Sequence, residues 1–156
     1  MIIARIADKY DVPFIIKEIN DDNVARHVND DKTFEYFIVD DQIQPQCFII
    51  VEENGEPKGF FYFQNLNSIT IDIHTCIRGI KDKIGAGLAA IEFFKSMMGV
   101  EVIISFIPAY NSAAQKYAGR LGFQVSGRIK KSYLFNGEPI DQIIVSQNIK
   151  GGELCQ

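Results

Sequence analysis

The sequence contains few of the residues that build disulfide frameworks or metal clusters. It has 156 residues, with three cysteines, two histidines and no tryptophan. The cysteines (Cys47, Cys76 and Cys155) are widely separated, which predicts neither a disulfide framework nor a zinc cluster. The histidines, His27 and His74, cannot form a paired metal motif on one helix. We therefore expect a protein without a bound metal.

Long apolar runs and an excess of positive charge are also missing. No stretch approaches the roughly 20 apolar residues that span a membrane, and the N-terminal apolar run is too short for a signal peptide. The formal net charge is −4 and there is no basic run, which disfavours general nucleic-acid binding. These absences predict a cytoplasmic protein that binds neither nucleic acid nor a membrane.

The charge that is present is divided unequally along the chain. Residues 1–60 contain 13 acidic and 6 basic side chains, whereas residues 61–156 contain 7 acidic and 10 basic ones. The first part is therefore acidic and the second part basic. This division is either an accident of surface composition or a sign of two faces that meet differently charged partners.

Composition and length indicate one ordinary globular domain. Hydrophobic residues make up 47% of the chain and charged residues 23%, which is typical of a protein with a packed core. A chain of this length suits a single domain. We expect that domain to span residues 1–150 and to be followed by a flexible tail over residues 151–156.

Hydrophobic periodicity predicts the element order β-α-α-β-β-β-α-β-α-β-β. In the first part we expect a strand at Ile2–Ile6, a helix capped by Asp11 with Pro13 in its first turn, a polar helix near residues 23–28, and a hairpin of strands 47–51 and 59–63. In the second part we expect a strand at 69–73, a helix at 84–98, an apolar strand at 100–107 buried on both faces, a helix that begins at Asn111, and a final hairpin of strands 124–135 and 140–148. A right-handed crossover over residues 69–107 makes its two strands parallel and leaves the other pairs antiparallel. The fold class is therefore α+β, a mixed and mostly antiparallel sheet with helices on its faces.

The segment 78–88 connects a strand to a helix N-terminus and contains two glycines, Gly85 and Gly87. Free N–H groups at such a terminus favour an anion, especially a phosphate, and Arg78, Lys81 and Lys83 add positive charge beside it. The alternative is that the glycines serve only the geometry of the turn.

Two segments and the element order resemble the GNAT acetyltransferase superfamily. Residues 82–87 are similar to its cofactor loop R/Q-x-x-G-x-G/A, with Asp82 in place of the usual Arg or Gln. The segment from Asn111 to Phe123 looks like its signature N-x-x-A-x-x-x-Y-x-x-x-G-F. The later Gly127-Arg128 and Asp141 resemble the branch that acetylates protein N-termini and small amines, and the chain also resembles short acetyltransferase-like proteins of bacteriophages.

This resemblance implies a GNAT-like sheet of seven strands with a splayed parallel central pair, and a cytoplasmic enzyme, in the host if phage-encoded. The enzyme would move an acetyl group from acetyl-CoA, or a longer acyl-CoA, to a primary amine of a small molecule or protein. The alternative is a catalytically silent relative, a binding or virion-associated module. A homodimer could form through the last strands. The residues that the resemblance assigns to cofactor binding are Cys76, Ile77, Arg78, Lys83, Ile84, Gly85, Ala86, Gly87, Asn111 and Lys116.

Two side chains are candidates for proton transfer. Tyr117 is taken as the match to the family's general acid, with a core residue on the apolar stripe as the alternative. His74 shares a strand face with Asp72, and an imidazole can take up a proton near neutral pH, so it is a candidate base. The alternatives are that His74 is a half-buried structural histidine, or that a chain of solvent molecules removes the proton from the amine. Asp72, His74 and Cys76 also contain the residue types of a nucleophilic cysteine system. Their spacing of roughly 6.6 Å along the strand disfavours direct hydrogen bonds between them.

Overall fold

The computed structural model describes residues 1–22, 24 and 43–150. The predicted polar helix falls almost entirely outside these residues, as do His27, the acidic pairs at 30–31 and 40–41, and the tail over 151–156. The described elements are β1 (Ile2–Ile6), α1 (Val12–Ile19), a 3₁₀ turn (Pro45–Cys47), β2 (Phe48–Glu53), β3 (Glu56–Asn65), β4 (Thr70–Cys76), α2 (Lys83–Ser96), β5 (Val102–Pro108), α3 (Ser112–Arg120), β6 (Gln124–Phe135) and β7 (Glu138–Asn148).

The strands form one seven-stranded sheet in the order β1-β2-β3-β4-β5-β7-β6. Only β4 and β5 pair in parallel among the described strands, since α2 carries the chain from one to the other as a crossover. The two tight hairpins turn at Asn54-Gly55 and Asn136-Gly137, whose positive φ angles suit the right-handed twist of the flanking strands. The predicted fold class, including the parallel central pair, is confirmed.

Helices cover both faces of the sheet, as the alternation along β3 requires. Phe61 and Phe63 join the cluster under α2 and α3, whereas Phe60 joins the cluster under α1 together with the fully buried Ile15. Successive side chains of a strand point to opposite faces, so a run of four aromatics can serve two cores at once. Within the described ranges, no helix combines the length and apolar composition needed to cross a bilayer.

Two local predictions are wrong. Asp11 occupies the N-cap position of α1, but its side chain makes no capping hydrogen bond. Its carboxylate is buried and instead accepts two hydrogen bonds from the Arg5 guanidinium, at 2.7 and 2.8 Å. The strand β5 is not buried on both faces, because its middle residues Ile104, Ser105 and Phe106 are only half-buried. They border a gap in the sheet.

Candidate active site

The gap opens where the parallel strands β4 and β5 separate. Their pairing ends at Asp72 and Ile104, whereas β5 continues to pair with β7 as far as Pro108. At the branching point the Ser105 hydroxyl donates a hydrogen bond of 2.9 Å to the Ile73 carbonyl. Beyond that point, β4 has no backbone pairing to β5, so peptide groups on this edge are available to a ligand.

A cavity of about 190 Å³ begins in this gap and extends between α2 and α3. Its wall is mainly apolar, with Ile91 and Phe94 from α2, Phe106 from β5 and Leu121 after α3. A mainly apolar slot with a few polar groups is the usual form of a small-molecule site. The polar side chains that line it are His74, Thr75, Ser105, Asn111, Tyr117, Tyr133 and Gln142.

At the N-terminus of α2, the side chain of Asp82 caps the helix. Its Oδ1 atom accepts a hydrogen bond of 2.8 Å from the backbone N–H of Gly85. A Cβ atom on residue 85 would lie 2.3 Å from Asp82 Oδ2, so the glycine leaves room for the cap. The residue that departs from the family loop therefore places a carboxylate on an amide that we predicted to bind a phosphate.

The second glycine of the loop is explained by helix packing. A Cβ on residue 87 would lie 2.5 Å from both the Tyr117 hydroxyl and Leu121 Cδ1. The Tyr117 hydroxyl donates a hydrogen bond of 2.9 Å to the Lys83 carbonyl at the start of α2. Gly87 thus lets α3 approach α2 closely enough for this hydrogen bond to form.

The Tyr117 phenol is held in its protonated form. Burial raises the pKa of Tyr117, and the nearby Asp82 carboxylate raises it further. The signature, counted from Asn111, places its own tyrosine at position 118, which is Ala118 here, so our predicted match is offset by one residue. One residue turns a side chain by about 100° around a helix. Both Tyr117 and Ala118 nevertheless line the cavity.

On β4, the side chains of His74 and Asp72 are in contact. His74 Nε2 lies 3.2 Å from Asp72 Oδ2. The two side chains approach each other but make no hydrogen bond within the described part of the chain, in keeping with the spacing argument for this strand. Asp72 is almost fully buried, whereas 38% of the His74 side chain is exposed and lines the cavity.

Cys76 does not belong to this pair. Its thiol is buried on the α1 face and lies 4.0 Å from Glu18 Oε2. Burial and the Glu18 carboxylate raise the pKa of Cys76 to about 12, so it stays a neutral thiol at physiological pH. These surroundings disfavour a nucleophilic cysteine.

Some of the predicted cofactor residues line the cavity, and others lie on the α1 side, at the end of β4, in the first turn of α2 or on the surface of α3. Gly87 and Asn111 line the cavity; Asn111 also caps α3 by accepting a 3.0 Å hydrogen bond from the Ala114 N–H. Arg78 instead bonds to Asp21 at 2.7 Å and to Glu18 at 3.2 Å, on the α1 side. The remaining predicted residues are Cys76 and Ile77 at the end of β4, Lys83, Ile84, Gly85 and Ala86 in the first turn of α2, and Lys116, which is exposed on α3.

Sequence reasoning missed Tyr133 and Gln142, which line the cavity from β6 and β7. An irregularity between Ile129 and Tyr133, with Lys131 at φ 51°, interrupts the alternation of β6. Because of such a bulge, the alternation counted from the start of β6 does not predict that Tyr133 faces the cavity. Among residues 1–22, 24 and 43–150 there is no group of three or more side chains suited to hold a metal ion.

Solved structures of other proteins share this architecture. No family model matches the sequence, and no curated protein matches it. The structure of yncA, a putative acetyltransferase from Salmonella typhimurium with its cofactor acetyl-CoA, has a TM-score of 0.77 at 17% identity, over 97% of this chain and 96% of that one. The spermidine N-acetyltransferase from Vibrio cholerae, in complex with CoA and spermine, has a TM-score of 0.78 at 16% identity, over 94% and 95%.

A GNAT-family acetyltransferase from Bacillus anthracis has a TM-score of 0.74 at 15% identity, with 96% of each chain covered. At these identities the likeness shows the fold. The chain therefore has the GNAT fold, as its element order predicts. The resemblance to bacteriophage proteins stays a prediction.

Proposed function

We propose that the protein is an N-acetyltransferase that moves an acetyl group from acetyl-CoA to a primary amine. The observation that carries this proposal is the separation of β4 and β5, with a slot that runs from the gap to the space between α2 and α3. The structural neighbours support it, because one contains acetyl-CoA and another contains CoA with spermine.

The residues around the slot fit the pantetheine arm of acetyl-CoA. The arm is a narrow chain with two amides, and it needs an apolar channel with a few hydrogen-bonding groups at its edges. The free edge of β4 near Cys76 and Ile77 offers peptide groups to the arm and to the thioester carbonyl. Asn111 and Tyr117 line the slot from the N-cap and the body of α3. The first turn of α2, Lys83 to Gly87, would receive the diphosphate, with Lys116 as a further predicted contact, whereas Arg78 is engaged by Glu18 and Asp21.

Direct transfer needs one side chain that accepts a proton and one that donates a proton. The amine nitrogen attacks the thioester carbonyl carbon, and the carbon–sulfur bond breaks as the amide bond forms. His74 takes the proton that the amine loses, and Tyr117 gives a proton to the departing thiolate. The two side chains line the same cavity, His74 from β4 and Tyr117 from α3. A backbone N–H of β4 polarises the carbonyl during the attack.

One observation favours a second function, that of a GNAT-fold binding module without turnover. The carboxylate of Asp82 already accepts the Gly85 N–H, where a cofactor phosphate would bind. A protein that had lost its cofactor would gain helix stability from such a cap. In that case the cavity would serve a ligand without a diphosphate.

A measurement of acetyl-CoA binding distinguishes the two proposed functions. A ligand that binds only the folded state raises the melting temperature by mass action. We expect acetyl-CoA to raise it for the wild type and for Ala113→Leu, whose side chain is exposed on α3. Ala114→Leu fills the cavity from the next position and should abolish the shift. No shift with millimolar acetyl-CoA would rule out the enzyme and favour the binding module.

Turnover is then measured as release of free CoA thiol with a panel of amines. The panel includes polyamines, aminoglycosides and peptides with free N-termini or lysines, because the described residues leave the acceptor open. Release that requires both acetyl-CoA and one amine class would establish the transferase. Binding without release for every class would favour the silent module.

A further inference from the structure

We propose that Tyr133 selects the amine acceptor, and that Asp141 is the positioning residue that brings Tyr133 to the cavity by holding a bulge in β6. This inference rests on the proposed function and narrows the acceptor that it leaves open. The acceptor is a primary amine that carries an aromatic or apolar group, in preference to a polyamine.

Tyr133 and the proposed base lie on the same face of the sheet. His74 pairs with Tyr62, which packs against the cluster under α1, and directly paired residues share a face. On β7, Val145 belongs to the cluster under α2 and α3, so Ile140, five residues before it, faces the α1 side. Tyr133 pairs with Ile140 and shares that side. An amine that reaches His74 from this face therefore meets Tyr133, opposite the helices that we assign to the cofactor.

The bulge in β6 decides which side chain occupies this place. Before the bulge, Ile129 pairs with Gln142. After it, Tyr133 pairs with Ile140, so β6 advances four residues while β7 advances two. Without the extra residues, the pairing would continue with Lys131 opposite Ile140. The bulge thus puts an aromatic ring on the acceptor side where a regular strand would put a cation.

The carboxylate of Asp141 lies opposite the bulge and binds it at two points. Its Oδ1 atom accepts a hydrogen bond of 2.9 Å from the Lys131 N–H, and its Oδ2 atom accepts one from the Arg128 guanidinium. Lys131 has a φ angle of 51°, a left-handed conformation that is unfavourable for a residue with a Cβ atom. The carboxylate therefore stabilises a backbone conformation that Lys131 would otherwise avoid.

Asp141 also joins the bulge to the end of β5. Its backbone carbonyl accepts a hydrogen bond of 2.9 Å from the Ala109 N–H. The ring of the next residue, Tyr110, stacks on Phe135 with the centroids 4.0 Å apart, and its centroid lies 6.5 Å from that of Tyr133. The Tyr133 ring therefore has an aromatic neighbour beside the cavity that limits its orientation.

The cavity wall favours an aromatic or apolar acceptor. Among the described residues that line the cavity, none is Asp, Glu, Lys or Arg. A polyamine keeps a second ammonium group after the reacting nitrogen has lost its proton, and burial of that charge without a carboxylate partner is unfavourable. An aromatic or apolar group instead gains contact with the Tyr133 ring.

The role of Asp141 is tested by NMR, without turnover. In the wild type we expect a backbone NOE between Tyr133 and Ile140. Asp141→Ala should lose this contact, and the added change Lys131→Gly should restore it, because glycine adopts a positive φ angle without strain. Glu138→Ala is the matched control, since it removes an exposed carboxylate of the same strand and should leave the register unchanged.

Retention of the Tyr133–Ile140 contact in Asp141→Ala would overturn the proposal. If that variant does not fold, the double variant Asp141→Ala, Lys131→Gly decides. A folded double variant with the wild-type register supports the proposal, and a double variant that is also unfolded overturns it.

The role of Tyr133 is tested by thiol release with phenethylamine and spermidine. The wild type should have the higher kcat/KM for phenethylamine. Tyr133→Ala should raise the KM for phenethylamine by about tenfold and leave the KM for acetyl-CoA unchanged, whereas Tyr133→Phe keeps the ring and should stay within twofold of the wild type. Asp141→Ala should behave like Tyr133→Ala, and the double variant like the wild type.

A higher kcat/KM for spermidine would overturn the proposal, as would a KM for phenethylamine in Tyr133→Ala within twofold of the wild type. A loss that affects the KM for acetyl-CoA equally would make Tyr133 a structural residue and overturn it too. Failure of the proposed function gives a different result: the wild type would release no CoA thiol with any amine, and the selection of an acceptor would be rejected with it.

Discussion

Among the described residues, the two faces of the sheet differ in how far ion pairs add to apolar packing. Under α2 and α3 lies an apolar cluster of 20 buried residues, whereas the cluster under α1 contains seven among the described residues. The α1 side also carries ion pairs that link its elements, Arg5 with Asp11 and Glu52, and Arg78 with Glu18 and Asp21. Apolar packing makes a fixed wall for a cofactor, while ion pairs leave the other face sensitive to pH and salt.

The same comparison changes how the charge division is understood. The sequence suggests a basic second half for the polyanionic cofactor and an acidic first half for a cationic amine. Arg78 belongs to the basic half, yet it bonds to two acidic residues of the first half, Glu18 and Asp21. Part of the opposite charge is therefore used to join α1 to the end of β4. Lys81, Lys83 and Lys116 stay exposed on the α2 and α3 side.

The largest expected effect is on catalysis at the α3 wall. Tyr117→Phe removes the hydroxyl that we assign to thiolate protonation, and kcat should fall by about 100-fold. The affinity for acetyl-CoA, measured by calorimetry, should change little, because the aromatic ring remains in the cavity wall and only the hydroxyl, with its hydrogen bond to the Lys83 carbonyl, is lost. Tyr10→Phe is the control on the α1 side, since that side chain is 80% exposed. Equal kcat for Tyr117→Phe and the wild type would make Tyr117 a packing residue only.

The next effect concerns stability on the α1 side. Asp11→Asn breaks a pair in which Asp11 is 5% exposed and Arg5 35%, so we expect a loss of about 2 kcal/mol in the free energy of unfolding at pH 7. The Arg5 guanidinium holds the pKa of the Asp11 carboxyl below its ordinary value. The stabilisation is therefore present above the unfolded pKa of about 4 and is lost as pH falls through the folded pKa.

Urea unfolding of the wild type and Asp11→Asn at pH 7 and at pH 3 measures this difference. The gap between the two proteins should narrow at the lower pH. The control is Glu56→Gln, which breaks the exposed pair with Lys58 and should change stability little. A gap that is independent of pH would show that α1 is held by packing, as the opposite face is.

Much of the fold could be predicted from the sequence, because hydrophobic periodicity and turn residues indicate the strands, the helices and the hairpins. The alternation of β3 and the Asn-Gly pairs specify hairpins, and the apolar spacing of α2 specifies a crossover. The partners of individual side chains could not be predicted in the same way. Asp11 has the position of a cap, but the arginine that binds it comes from β1. Asp82 is visible in the sequence only as a departure from the family loop, and its role as a cap is not predicted there. Such choices depend on groups that only the folded chain brings together.

A smaller effect tests the close packing of α2 against α3. Gly87→Ala places a Cβ where Tyr117 and Leu121 already lie, and overpacking of this kind costs about 1 to 2 kcal/mol. Gly119→Ala on α3 is the matched control, because its Cβ would meet nothing within 4 Å. We expect the control to be neutral or more stable, since alanine favours a helix. Equal melting temperatures for the two variants would show that the α2–α3 wall is not tightly packed.

The smallest effect concerns the carboxylate that Asp82 places at the start of α2. Asp82→Asn keeps an efficient helix cap and removes the negative charge, so the melting temperature of the free protein should hardly change. The dissociation constant for acetyl-CoA should fall by about fivefold, because the diphosphate no longer meets a like charge at the helix N-terminus.

Glu92→Gln makes the same change of net charge at an exposed position farther along α2, and it should leave the affinity near that of the wild type. The gain from Asp82→Asn should shrink as salt is added, since exposed charges are screened. An unchanged affinity at low salt would mean that the diphosphate does not bind at the first turn of α2. The apolar wall would then hold the cofactor through its pantetheine arm alone.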